Sequence, residues 1–456
     1  MSDKIIIDEA ISLLCNQLQD NNYINVADYE KYGVKRGLRN ADGTGVMAGL
    51  SKVCSVEGYY VSDGEKVPKE GHLYYRGIDV NDIVAACEKE NRFGFEEVIW
   101  LLLFGTLPTQ DQLERFNDAL ADLRELPDNF TEDMIMKAPS PNIMNKISRA
   151  VLALYSYDDN PDDNSIENVL SQSLRLIAQM PSIISYAYQV KRRHYYHKSM
   201  YLHPPKKHHH TAEVILNSIR SDKQFTDEEA KLLDICLILH AEHGGGNNST
   251  FATRVLSSSG TDTYAAISAG IGSLKGPKHG GANSKVAEML DYFRANCSDI
   301  TDREQVADYI RKILRKEGGD GSGLVYGVGH AVYTLSDPRA EILRKKATAF
   351  AEGTEFEEEL KLLNHIADLT PSLFKEVTGK DKPMCINIDL YSGFIYKMLR
   401  IPEDIFTPLF AAARLAGWCA HRMEELYTSG RILRPAYKSL SSHTEYTPIA
   451  ERKANK

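Results

Sequence analysis

Helical periodicity runs through nearly all of this 456-residue chain, and strand signals are few. Apolar residues recur at helical spacing over Gln112 to Leu123, Asn145 to Tyr155, Ile166 to Met180, Glu228 to Ala241, Phe356 to Ala367 and Pro408 to Tyr427. Glu96 to Phe104 reads as a buried helix stopped by Gly105 and Pro108. Tyr59 to Val61 and His72 to Tyr75 predict a small hairpin around the polar stretch Ser62 to Gly71. Strands and helices do not alternate, which argues against a doubly wound sheet. The expected fold class is all-α, mainly helical, with few short strands near residues 59–75.

Composition narrows the function classes. Hydrophobic residues make up 43% of the chain, enough for a sizeable core, and the length suggests more than one unit. The net charge is -9 and no long basic run offers nucleic acid an electrostatic footprint. An acidic protein that handles anionic substrates must concentrate its arginines in one place. Seven cysteines, odd in number and widely spaced without a CxxC pair, fit reduced cytoplasmic thiols better than a disulfide framework or a zinc site. Met1 to Glu9 carries acids early and has no apolar core, which predicts neither a signal peptide nor a transit peptide. The longest apolar run, Val98 to Phe104, is too short to span a bilayer.

Asp158 to Ser165 and Lys191 to His210 read as insertions or mobile loops. The second contains His208, His209 and His210. Three successive histidines cannot share one helical face, and no carboxylate or thiol cluster accompanies them. A solvated basic loop is therefore the expectation, with no metal. Lys275 to about Ser392 opens and closes with Gly-rich segments and holds its own helices. It reads as a smaller domain (279–392) inserted between two parts of a larger one (1–278 and 393–456), with the glycines as hinges.

Five segments can carry chemistry. In Leu239 to Thr250, His240 and His243 stand three apart where a helix meets three glycines; a metal pair lacks a third ligand, and a carbonyl-capping histidine is the plainer reading. In Lys275 to Asn283, His279 sits among glycines just before a helix, whose positive end favours a neutral ring able to donate to an oxyanion. In Gly321 to Tyr333, His330 follows a Gly-rich loop that is not a P-loop but exposes amides to a nucleotide-like ligand. Asp337 and Pro338 read as N-cap and first residue of the helix bearing Arg339. Asp389 precedes a helical run, and cap statistics favour an N-cap there over a general base. Arg414, Trp418 and His421 share one face of an otherwise apolar helix. An internal ion pair or a fork awaiting a ligand carboxylate would each explain Arg414.

Together these segments resemble the citrate synthase family. The resemblance rests on Tyr75-Arg76-Gly77 with Asp79, His-Ala-Glu-His at 240–243, Gly-Pro-Lys-His-Gly at 276–280 and Gly-Val-Gly-His-Ala-Val at 327–332. Asp-Pro-Arg at 337–339, Asn-Ile-Asp-Leu-Tyr-Ser-Gly at 387–393 and the segments around Arg414 and Arg434 complete the series in order. The resemblance implies an all-α homodimer, two domains that close over acetyl-CoA and oxaloacetate, no cofactor, and entry of carbon into the tricarboxylic acid cycle. It implies His279, His330 and Asp389 as the catalytic set. It implies His243, His330, Arg339, Arg414 and Arg434 as oxaloacetate contacts, with Arg434 reaching the partner's site. It also implies CoA contacts at Val325, Tyr326, Gly327, Val328, Gly329, Lys380 and Lys382. The near alternatives are 2-methylcitrate synthase, which uses propionyl-CoA, and a citryl-CoA lyase, which usually comes with a ligase part. A non-catalytic helical protein that binds metal or acts as a scaffold is the alternative of another class.

Overall fold

The computed structural model describes residues 11, 15, 22–63, 65–428 and 431–452. The Met1 to Glu9 opening lies outside them. Helices dominate, as expected. The strand signal becomes a small antiparallel sheet of β1 (Cys54–Ser62), β2 (Glu65–Tyr75) and β3 (Ile78–Asp79), in that order. The hairpin is longer than its apolar alternation indicated. Ser62 pairs with Glu65 and Val61 with Lys66, so the polar stretch is paired backbone rather than an open loop. Its charged side chains face outward and hide the period-2 signal.

Helix α1 (Val26–Lys31) precedes the sheet. After it come α2 (Val80–Lys89), α3 (Phe95–Phe104), α4 (Gln110–Asp122), α5 (Ile143–Leu154) and α6 (Ile166–Tyr196). Then follow α7 (Thr211–Ile219), α8 (Asp227–His240), α9 (Asn248–Ser258) and α10 (Thr263–Leu274). The last group is α11 (Ala282–Asn296), α12 (Arg303–Leu314), α13 (Pro338–Ala351), α14 (Glu357–Thr378), α15 (Asp389–Met398) and α16 (Phe406–Thr428).

Two helices run further than their spacing predicted, each through a proline. Helix α6 continues past Pro181 and α14 past Pro371. A proline inside a helix costs about 3 kcal/mol. Beyond Pro181, however, Ile183, Ile184 and Val190 are buried, and each such side chain stabilises by about 1.5–3 kcal/mol. Packing outweighs the broken hydrogen bond.

The loop reading of Lys191 to His210 is accordingly corrected. Lys191 to Tyr196 are the last turns of α6, and Lys191 pairs with Asp404 at 2.6 Å. His209 is buried, and the His210 ring lies 3.2 Å from the buried Glu96 carboxylate. Glu96 also accepts the Thr211 amide at 2.7 Å. A buried carboxylate on an apolar helix needs such partners, and the histidine run supplies them. Lys206, Lys207 and His208 do face solvent. Asp158 to Ser165 is irregular but clasped: Asp158 accepts from Tyr264 at 2.7 Å and from Gln172 at 2.8 Å.

Helix α16 runs through the main core. Ala411 to Ala420 are all buried, and the helix packs on α3, α6, α8, α9 and α10. A second group packs on itself: α12 on α14, α13 on α15, and α11 on α15. The two groups meet where α13 packs on α8 and β2 and α11 packs on α16, and most of the segments singled out above lie there. Among the described residues no helix is long and apolar enough to cross a membrane.

Candidate active site

The site begins where α8 ends. The helix stops at His240, and Gly244, with φ at 85°, turns the chain toward α9. His240 stays in the helix, buried, with Nδ1 2.8 Å from the Cys236 carbonyl. His243 already lies beyond it. The two rings therefore do not share a helical face as their spacing suggested. Among the described residues no group of three or more His, Cys, Asp or Glu could hold a metal ion.

Helix α16 meets this segment with the face predicted for it. Arg414 Nε donates to the His240 carbonyl at 2.7 Å, Trp418 Nε1 donates to Ser249 Oγ at 3.2 Å, and His421 Nε2 lies 3.2 Å from Glu242 Oε1. Arg414 is fully buried, yet among the described residues no acceptor meets its Nη1 or Nη2. His243 Nε2 and the Tyr333 hydroxyl are likewise buried without a partner. Of the two explanations for Arg414, an internal ion pair is thus the lesser. Glu242 attracts it electrostatically but is hydrogen-bonded to His421.

Arg339 takes the other course. Asp337 caps α13 by accepting the Arg339 amide at 3.1 Å, as its position predicted. The same carboxylate also grips the Arg339 guanidinium, Nε at 3.0 Å and Nη2 at 2.7 Å. Burial opposes the Arg339 charge, and Asp337 restores it. The Arg339 guanidinium also stands 5.7 Å from the centre of the Tyr333 ring.

His330 lies between these groups. Its ring centroid is 5.1 Å from that of His243 and 4.6 Å from that of Tyr333. The amides of Val332 and Tyr333 both donate to His330 Nδ1, each at 3.0 Å. An atom that accepts twice carries no hydrogen, so the ring proton sits on Nε2. Burial, then Arg339, pushes the His330 pKa down to about 4.

His279 approaches the same group of side chains from the turn before α11. Its Nε2 lies 3.0 Å from Ser249 Oγ. Its pKa falls to about 4, first through burial and then through Arg414. The ring is neutral, as the sequence implied, but α11 starts three residues later and burial is the larger cause. The His243 pKa is likewise held well below its ordinary value, first by burial and then by Arg339 and His330.

Asp389 departs from its cap reading. It is the first residue of α15, after the N-cap position Ile388, and among the described residues no hydrogen bond to its carboxylate shifts its pKa. Asn387 Oδ1 accepts the Asp389 amide instead, at 3.0 Å. Burial pushes the Asp389 pKa up to about 6, against the pull of Arg339.

The structure thus brings together His243, His279, His330, Arg339, Asp389 and Arg414. The loop Val325 to Gly329 lies beside Cys385 and Ile386, with the Gly329 amide donating to the Cys385 carbonyl at 2.7 Å. Lys380 and Lys382 are exposed. Arg434 is not brought in. It is exposed on the segment after α16, next to Leu433, whose amide donates to Ser258 Oγ at 3.1 Å. Sequence reasoning missed Ser249, Tyr333 and Tyr75, whose hydroxyl donates to the Ile238 carbonyl at 2.9 Å. No periodic or motif signal links Ser249 to a histidine thirty positions later.

Comparison with known proteins bears on what this arrangement does. The family model described as "Citrate synthase, C-terminal domain" matches residues 40–436. A citrate synthase of Haloferax volcanii is 32% identical over 426 residues, covering 92% of this chain and 99% of that protein. A 2-methylcitrate synthase 1 of Corynebacterium glutamicum is 34% identical over 411 residues, 89% of this chain and 98% of that protein. Among solved structures, a ternary complex of carboxymethyl coenzyme A and oxaloacetate with the citrate synthase of Thermoplasma acidophilum aligns with a TM-score of 0.74. It is 25% identical and covers 91% of this chain and 99% of that one.

Proposed function

The chain belongs to the citrate synthase family, and from that premise we propose that it condenses acetyl-CoA with oxaloacetate and hydrolyses citryl-CoA to citrate and CoA. It is an acyltransferase-type enzyme; the reading of it as a non-catalytic metal-binding or scaffold protein is set aside by that membership. The observation that carries the substrate assignment is the donor set around Arg414. A buried guanidinium with two unaccepted nitrogens, beside His243 and Arg339, matches a small dicarboxylate held by forked hydrogen bonds.

Each proposed role follows from local chemistry. Removing a proton from the methyl of the thioester needs a base, and Asp389 is the carboxylate left free of backbone donors. His279, neutral, donates to the thioester oxygen as the enolate forms. That requires its proton on Nδ1, so the Ser249 hydroxyl donates to Nε2. One such donor is worth roughly 2.7–4 kcal/mol. His330 carries its proton on Nε2, where it polarises the ketone and then protonates the new alkoxide. Residues 279–392 form the closing unit between 1–278 and 393–456, supported by the packing of α11 to α15 on one another. Its closure holds water out until condensation is complete. Val325 to Gly329, Lys380 and Lys382 contact CoA.

The enzyme works as a homodimer in which Arg434 enters the partner's site. The segment after α16 supports this, because it carries exposed aromatic side chains, Tyr437 at 94% and Tyr446 at 83%. Its seven free thiols support a cytoplasmic setting. A second reading, 2-methylcitrate synthase, is favoured by the Corynebacterium glutamicum relative. One methylene shifts discrimination by only about 1–3 kcal/mol. The deciding experiment measures oxaloacetate-dependent CoA release from acetyl-CoA and from propionyl-CoA. Faster release from acetyl-CoA supports citrate synthase; faster release from propionyl-CoA overturns it.

A further inference from the structure

The proposed base and the proposed ketone-polarising histidine come from different segments, 59 positions apart in the chain. One side chain touches both segments. The Asn387 amide Nδ2 donates to the Gly329 carbonyl at 3.0 Å, and Gly329 immediately precedes His330. The other end of the same side chain, Oδ1, accepts the Asp389 amide at 3.0 Å. The Asn387 backbone N–H donates to the Gly327 carbonyl at 2.9 Å. We propose that Asn387 is a positioning residue that holds His330 and Asp389 in mutual register. The proposal rests on the roles given to those two residues above.

The first amides of a helix need acceptors, and an aspartate at that place ordinarily turns its own carboxylate on them. In α15 the asparagine two residues earlier takes the Asp389 amide. That leaves the Asp389 carboxylate outside the backbone network. On the other strand, the loop before His330 is tied by main-chain bonds to Cys385 and Ile386. Those bonds fix the two segments to each other without holding the Asp389 amide. The Asn387 main chain joins the Gly327 carbonyl to the Leu390 amide of α15. Among the described residues its side chain alone adds a bond from the residue before His330 to Asp389 itself. The bracket needs a donor and an acceptor one amide group apart. Serine provides the acceptor but is too short for the Gly329 carbonyl, and alanine provides neither. The histidine is anchored on its far side too, since the Val332 and Tyr333 amides grip Nδ1. A shift of the Gly329 carbonyl is therefore passed to the ring. A misplacement of about 1 Å between reacting groups costs on the order of 10²-fold in rate.

The test uses the full chain with Asn387→Ala, Asn387→Ser and, as a control, Asp389→Asn. Turnover, KM for oxaloacetate, melting temperature and the pH profile are measured for each active variant. Asn387→Ser keeps an acceptor for the α15 amide, so it should melt like the parent and bind oxaloacetate normally while kcat falls at least about tenfold. Asn387→Ala should lose about 10²-fold in kcat. Its acidic limb should move to lower pH, because the Asp389 carboxylate then accepts its own helix amides. A residue that merely supports the fold would move the melting temperature and KM together and leave the limb in place. If Asn387→Ser turns over within about twofold of the parent, the positioning role is overturned even should Asn387→Ala fail to fold. If Asp389→Asn keeps its turnover, the base assignment is the part that fails. An inactive Asp389→Asn beside fully active Asn387 variants leaves that assignment standing and rejects the bracket.

Discussion

His243 and His330 meet edge to face, with ring centroids 5.1 Å apart. Both rings are buried enough, and near enough to Arg339, to refuse a proton at neutral pH. A pair of imidazolium ions could not sit at that distance beside two guanidinium groups. The site therefore concentrates its positive charge on arginine, which does not titrate, and keeps its histidines as neutral hydrogen-bonding groups. Removal of the first proton is left to a carboxylate, and the neutral rings act as donors.

The pH profile should reflect that division. Asp389 must be ionised to act as a base, and its pKa is about 6. Activity should fall as pH drops through about 6, with the slope of one proton. His279 and His330, near 4, should add no limb between pH 5 and 8. A two-proton acidic limb in kcat/KM would contradict the neutral-histidine picture.

Asp389→Asn should trade turnover for stability. The folded pKa lies above the unfolded one, so the folded state binds the extra proton between them, and stability falls as pH rises through that window. At pH 7 to 8 the ionised carboxylate weighs against folding by on the order of 1–3 kcal/mol. The variant should melt higher than the parent at pH 8, equal it near pH 4, and show almost no turnover. A lower melting temperature at pH 8 would count against a strained base.

Arg414→Met should separate substrate binding from folding. Replacing a buried, incompletely paired cation by an apolar side chain of similar length is often neutral or stabilising. In the parent, oxaloacetate at a hundred times its Kd should stabilise by about 2.7 kcal/mol. The variant should fold, lose that thermal shift, and need far more oxaloacetate for half-maximal rate. A preserved shift would move the anion site away from α16.

Arg434 is exposed in the single chain. Arg434→Ala and His279→Ala should each be nearly inactive alone. Mixed under conditions that exchange subunits, they should regain part of the activity, because one site of the hybrid then holds both residues intact. No recovery in a verified hybrid would place Arg434 outside the partner's site.

Much of the site was legible because each segment announces itself chemically. Histidines among glycines at 279 and 330, and an arginine inside the apolar face of α16, are anomalies that ordinary packing does not explain. The helices with a strong apolar period were legible by their spacing, except where burial overrode a proline at 181 and 371. Short ones such as Thr211–Ile219 and Thr263–Leu274 carried no such expectation. Asp389 was misread for a definite reason. Asparagine and aspartate are equally good caps, and the chain offers one of each, two residues apart. Local preference cannot say which of the two caps α15. That choice depends on Gly329, a contact partner 58 positions away. The basic loop failed in the opposite way, because Glu96, its buried partner, sits in an apolar helix more than a hundred residues earlier.

The β1–β2 hairpin lies against the loop that follows His330. A methyl group on Gly58 would stand 2.6 Å from the Tyr333 Cα, and one on Gly71 would stand 2.1 Å from the Ser336 carbonyl oxygen. Thr334 Oγ1 donates to the Gly58 carbonyl at 2.5 Å, and the Gly71 amide donates to Ser336 Oγ at 3.0 Å. The consequence concerns how this chain can drift over generations. Two bare positions hundreds of residues upstream of Asp389 carry no side chain to do chemistry, yet an inherited alanine at either would push the loop after His330 out of place. Variants there should be purged as strictly as variants of the histidine itself.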